Sequence, residues 1–157
     1  MRLTRWTDYA LRVLMYCAAN RARERAPTIA EIAEMHGISR SHLMKVVMHL
    51  AAQGWIETTR GRGGGLRMLR APEDISVGEV VRRMESDFDL VECFAPATNQ
   101  CQLAPACLLK SALAQATRAF LQELDGFTLS DLVSAPKGPL EQVMFERKAK
   151  PADPPRR

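Results

Sequence analysis

Cys93, Cys101 and Cys107, spaced C-x7-C-x5-C, carry the most specific chemistry in the chain. Structural zinc ordinarily takes four ligands and a C-x2–4-C knuckle, and neither gap is that short. The histidines His36, His42 and His49 all lie far upstream, so none is a neighbour in sequence. Longer spacings in a flexible loop suit an iron-sulfur cluster, whose thiolates bridge a wider core. Zinc, thiol redox chemistry and inert cysteines remain the competing readings. Cys17 stands alone among apolar residues and reads as a buried small hydrophobe. Three thiolates leave one coordination position short. Asp8 is the candidate oxygen donor, although an aspartate in a first helical turn is commonplace because it faces the positive helix end.

The elements that must position these residues follow from hydrophobic periodicity and capping. Leu11, Leu14, Met15 and Ala18 make one helical stripe ending near Asn20. Thr28-Ile29-Ala30-Glu31 has capping-box form and starts a short helix burying Ile29, Ile32 and Ala33, with Gly37 suited to its left-handed end. Ser39 is placed to cap a third helix with core residues Leu43, Val46, Val47 and Leu50; its opposite face is Ser41, Met44, Lys45 and Met48. Helix, glycine turn, helix is the helix-turn-helix pattern.

Residues 55–59 and 66–70 then read as two strands joined by Arg60-Gly61-Arg62-Gly63-Gly64-Gly65, a hairpin that would form a basic wing. Ser41 and Lys45 can enter a major groove while Arg60 and Arg62 reach phosphates or a minor groove, and glycines such as Gly63 and Gly64 let backbone approach the sugar-phosphate chain. A winged helix used for protein contacts is the competing reading. Ser76-Val77-Gly78-Glu79 is a second capping box, opening a helix with Val80, Val81 and Met84. Residues 86–107 lack periodicity and read as a functional loop. Leu109, Leu113, Ala116 and Phe120 then make a coiled-coil-like seam, and Thr128–Leu132 one last turn.

The 157 residues, 46% hydrophobic and 25% charged, can bury a core without disulfides or a structural metal. The net charge of +4 is unevenly placed: residues 1–70 hold 12 Lys and Arg against 5 Asp and Glu, residues 71–133 hold 4 against 10, and residues 134–157 hold 6 against 3. A basic half joined to an acidic half predicts a polyanion-binding module attached to a different task. Arg2 and Arg5 precede an apolar stretch, but Asp8 and Arg12 interrupt it, which predicts neither export signal nor membrane span and hence a cytoplasmic protein. There is no internal repeat, phosphate-binding glycine loop or Ser/His/Asp arrangement, so no enzyme is expected.

Together, Leu3–Arg12, Ser39–Lys45, Arg60–Gly65, Glu92-Cys93-Phe94, Cys101–Cys107 and Leu124–Leu132 resemble the NsrR/IscR family of winged-helix regulators. The resemblance covers about residues 1–133. It implies a homodimeric transcriptional repressor that binds double-stranded operator DNA, with His42 joining Ser41, Lys45, Arg60, Arg62, Gly63 and Gly64 at the DNA. It further implies that Cys93, Cys101 and Cys107 hold an iron-sulfur cluster, of 4Fe-4S type with 2Fe-2S as the alternative. In NsrR-like members the aspartate matching Asp8 is the remaining ligand, donated by the partner subunit. In IscR-like members it is a histidine soon after the third cysteine; here Leu108-Leu109-Lys110 follow, which places the chain on the nitric-oxide-sensing side. The alternatives are a cluster sensing redox state, oxygen or iron supply, or a zinc-binding or cluster-free winged-helix regulator.

The expected architecture is therefore mainly α: a winged helix-turn-helix DNA-binding region over 1–72; a connecting helix, cluster-binding loop and long dimerisation helix over 73–133; and a disordered tail over 134–157.

Overall fold

The computed structural model describes residues 2–61 and 63–134; Arg62 and the tail expected beyond Ser134 lie outside the described residues. Helix α1, Arg5–Ala19, begins at Thr4, whose hydroxyl accepts the Thr7 N–H at 3.3 Å. Its buried residues include Ala10, Val13, Leu14, Tyr16 and Cys17, whereas Leu11 and Met15 are only partly buried. The stripe thus lies turned from the expected one, because α1 is contacted on several sides rather than one.

Helix α2, Ile29–His36, carries the complete capping box between Thr28 and Glu31 and stops at Gly37, whose φ of 64° is left-handed. Helix α3, Arg40–Ala52, buries Leu43, Val46, Val47 and Leu50, as its periodicity predicts. Ser39 takes the N-cap position without a side-chain cap bond: its hydroxyl lies 2.7 Å from that of Ser41 instead. Strands β1, Ile56–Thr59, and β2, Gly65–Met68, pair antiparallel from Ile56 opposite Met68 to Thr59 opposite Gly65.

A 3₁₀ turn at Pro72–Asp74 leads into α4, Val77–Met84, where Ser76 accepts the Glu79 N–H at 3.0 Å. Only half of that expected capping box forms, since the Glu79 carboxylate pairs instead with Arg70 at 2.9 Å and Arg83 at 3.0 Å. Two guanidinium groups outcompete one backbone N–H for the carboxylate. The segment between α4 and α5 contains only the 3₁₀ turns Glu92–Phe94 and Ala104–Ala106; α5 is Leu108–Asp125.

The chain then returns. Val77 N–H donates to Phe127 O at 2.8 Å and Leu129 N–H to Ile75 O at 2.9 Å, which seats α6, Leu129–Val133, against α1. One hydrophobic core therefore runs from Ala10 through Leu50, Trp55 and Val80 to Leu129. Gly78 lets α4 approach the end of α5, for a β-carbon there would fall 2.1 Å from Asp125 Oδ1 and 3.0 Å from its backbone nitrogen. Arg82 Nη1 donates to that same Oδ1 at 2.6 Å, locking the contact and holding the Asp125 carboxyl below its usual value. No helix among the described residues is long and apolar enough to cross a membrane.

Candidate functional site

The buried stripe of α3 fixes what the opposite side shows. With Leu43, Val46, Val47 and Leu50 in the core, Arg40, Ser41, His42, Met44, Lys45 and Met48 are all exposed. Ser41, His42 and Lys45 thus share one accessible helix surface, and the Ser39–Ser41 hydroxyl contact lies at its leading end.

The wing stands beside this surface because its base is tied to the start of α2. Leu66 N–H donates to Pro27 O at 2.8 Å, and a β-carbon at Gly65 would fall 2.7 Å from that same oxygen. Two glycines shape the tip. Gly63 adopts φ of 80°, and a β-carbon at Gly64 would meet Thr59 O at 2.2 Å, so a side chain at either position would strain or displace the turn. Arg60 is exposed at the tip, and Arg62 lies outside the described residues. Between wing and α3 runs an open groove of about 770 Å³, with Met44, Met48, Arg40, Arg60 and Ile29 among its walls.

The cysteines divide as their surroundings require. Cys17 is buried at 2% exposure, and burial pushes its thiol up to about 12, so it stays protonated and inert. Cys93, Cys101 and Cys107 are free and half-buried. Cys93 lies in the 3₁₀ turn Glu92–Phe94 and lines a hollow with Lys110, Ala114 and Arg118 of α5. Asn99 Oδ1 accepts the Cys101 N–H at 3.0 Å, and Cys107 is the N-cap residue of α5. All three therefore belong to one loop held against one helix. They are not drawn into a single ligand set: among the described residues no three His, Cys, Asp or Glu side chains gather in metal-binding geometry.

Asp8 is remote from that loop in its connections. It lies in the first turn of α1, half-exposed, where Arg12 Nε donates to its Oδ1 at 2.9 Å. The donor chemistry of three free thiols with an accessible carboxylate suits an iron-sulfur cluster, and a single subunit leaves that set open.

Three features escaped the sequence reading. Glu85 Oε1 accepts from the Thr4 N–H and hydroxyl at 2.8 and 3.1 Å, joining the start of α1 to the end of α4. Arg70, Glu79 and Arg83 form an ion-pair network between wing and α4. The methionine-rich wall of the groove was visible only as two residues on the exposed face. No local spacing announces the Thr4–Glu85 contact, whose partners are 81 residues apart, whereas Glu79 and Arg83 stand at the i,i+4 spacing of a helical ion pair.

Comparison with known proteins agrees with this geometry. The chain is 52% identical over 133 residues to the HTH-type transcriptional regulator NsrR of Bacillus subtilis (strain 168), covering 85% of this chain and 90% of that one. It is 45% identical over 148 residues to the regulator of the same name from Geobacillus kaustophilus (strain HTA426), covering 94% and 99%. Among solved structures, the oxidized form of Staphylococcus aureus CymR superposes with a TM-score of 0.67 at 25% identity, covering 85% of this chain and 97% of that one. T. potens IscR gives 0.65 at 21% identity, covering 98% and 94%, a likeness of fold. The family model described as Rrf2, iron-dependent transcriptional regulator, matches residues 3–135, and with an exposed α3 face, a glycine-shaped wing and a cysteine loop in place the chain belongs to the Rrf2 family of transcriptional regulators.

Proposed function

We propose that this regulator is a homodimeric repressor whose grip on operator DNA is controlled by an iron-sulfur cluster and released by nitric oxide. Residues 1–72 supply the DNA-binding region. Helix α3 enters the major groove with Ser41, His42 and Lys45, while Arg60 and Arg62 follow the phosphates and Gly63 and Gly64 let the wing backbone come close. The α5 seam of Leu109, Leu113, Ala116 and Phe120 pairs two subunits, which places two recognition helices about one helical turn apart on a roughly palindromic site.

The observation that carries the reading is the segregation within one short chain: an exposed polar and cationic helix face at one end, three free half-buried thiols on a single loop at the other. Identity of 52% to a regulator named NsrR supports nitric oxide as the signal. Cys93, Cys101 and Cys107 would hold the cluster as thiolates, with Asp8 contributed across the dimer as the oxygen donor. A 4Fe-4S group bound there would supply an iron corner that a small neutral diatomic can attack without a dedicated pocket. Asp8 must first leave Arg12. It then ties the cysteine loop of one subunit to the first helix of the other, and loss of that tie lets the paired recognition helices leave register.

The test is anaerobic purification with iron and sulfide quantitation, followed by nitric oxide titration of the protein on operator DNA. Iron and sulfide in 4:4 ratio and release at near-stoichiometric nitric oxide support the proposal. Release instead on mild one-electron oxidation would identify a redox sensor, and retention of DNA after complete reaction with nitric oxide would rule the mechanism out.

A further inference from the structure

Base recognition through a helix commonly uses side chains that form paired hydrogen bonds, such as asparagine or glutamine on adenine and arginine on guanine. The middle of the exposed α3 face carries neither amide. At about 100° per residue, Met44 and Met48 lie one turn apart at the centre of an arc bounded by Arg40 on one side and by Ser41 and Lys45 on the other. They are 52% and 66% exposed, whereas the other large apolar residues of α1 to α4 are buried or half-buried. They also line the groove beside the wing, together with cationic Arg40 and Arg60.

Two long apolar side chains flanked by guanidinium groups are unfavourable in water and suit a surface that is apolar in its centre and anionic at its rim. The major groove of a duplex is such a surface where thymines project their methyl groups between two phosphate strands. We propose that Met44 and Met48 are specificity-determining residues that read thymine methyl groups, making the half-site selective for particular A·T pairs by apolar contact rather than by hydrogen bonding. The unbranched, polarizable thioether adapts to the methyl's position without demanding one hydrogen-bond geometry. This deepens the DNA-binding reading of α3 and rests on it.

The experiment starts from duplexes selected from a random pool by the full-length protein purified without oxygen. Each thymine of the selected half-site is then replaced singly by deoxyuridine, which removes the methyl and keeps every hydrogen-bonding group. Deoxyuridine at one or two positions should weaken wild-type binding roughly fourfold each, the factor corresponding to about 0.8 kcal/mol for one buried methyl-sized group. Met44→Ala and Met48→Ala should weaken binding to thymine duplexes by a similar factor, become indifferent to the methyl at their own position, and keep the wild-type salt slope. Both residues are solvent-exposed, so neither change opens a cavity in the core. Wild-type binding that ignores deoxyuridine at every position, or variants as methyl-dependent as the wild type, would overturn the proposal while leaving sequence-selective DNA binding intact. Enrichment of no sequence at all would remove the DNA-binding reading and this proposal with it.

Discussion

The three helices of the N-terminal half and the long helix α5 use their apolar residues in opposite ways. Helix α3 puts Leu43, Val46, Val47 and Leu50 at 2% exposure or less, whereas α5, at 18 residues the longest helix among the described residues, buries only Thr117. Leu109 is 63% exposed, and Leu108 85%. The first region completes its packing within one subunit. The second packs part of its surface on α4, leaving Leu113 and Phe120 half-buried but Leu109 and Ala116 exposed, and it follows a loop whose three free thiols are not gathered into one ligand set among the described residues. The difference teaches that the N-terminal helices commit their apolar residues to one core, while α5 leaves Leu108 and Leu109 outside it.

The sharpest break in that comparison comes from the cysteines. Cys101→Ala should abolish the visible absorbance of the anaerobically purified protein altogether and leave the thermal unfolding of cluster-free protein unchanged. Cys17→Ala should do the reverse, keeping the absorbance while lowering stability by about 1 kcal/mol through a small buried void. Full iron content in the Cys101 variant would remove that thiol from the ligand set.

Next come paired leucine truncations. Leu50→Ala should cost about 2–5 kcal/mol in urea denaturation, because it opens a cavity in a packed core. Leu109→Ala should cost the isolated subunit less than about 0.5 kcal/mol, as exposed positions do, yet weaken self-association measured by sedimentation. Equal losses of stability from both would erase the distinction between the regions.

A finer comparison lies between two helix starts. Thr28→Ala should cost about 1 kcal/mol, since it removes a reciprocal cap, while Ser39→Ala should change stability by only a few tenths because its hydroxyl caps nothing. A Ser39 loss equal to that of Thr28 would show that a cap forms in solution.

The smallest effect is one of pH. The Thr128 N–H, with the Thr128 hydroxyl second, holds the Asp131 carboxyl below its usual 3.8. A carboxyl lowered on folding contributes stability that is present above the unfolded value and lost as pH falls through the folded one. Asp131→Asn should therefore flatten the stability profile slightly below about pH 4 and leave it parallel to wild type above pH 5. An unchanged acid limb would contradict this.

The sequence was legible for most local signals, the cap expected from Ser39 being an exception because its hydroxyl turns to Ser41. Capping at Thr28, the left-handed Gly37, the core stripe of α3, the hairpin around its glycines and the last turn at Thr128 all depend on neighbours within a few residues, which local sequence patterns report directly. Local reading failed where a distant partner competes. Glu79 leaves its own helix start because Arg70, from outside the helix, joins Arg83 one turn along it in pairing with the carboxylate, and the buried face of α1 turns because several later elements pack around that helix.

By itself, then, the sequence determined the element order, the segregation of charge and the chemical character of the candidate site: thiols on a loop, cations on a helix face. Only the tertiary structure decided that Leu129 returns to a core begun by Ala10, that Gly78 must be bare to admit Asp125, and that Met44 and Met48 line a groove beside the wing. The physical reason is range. Hydrogen bonds and periodic faces are specified over three or four residues, but close packing is specified by whichever surfaces the whole chain brings within van der Waals distance.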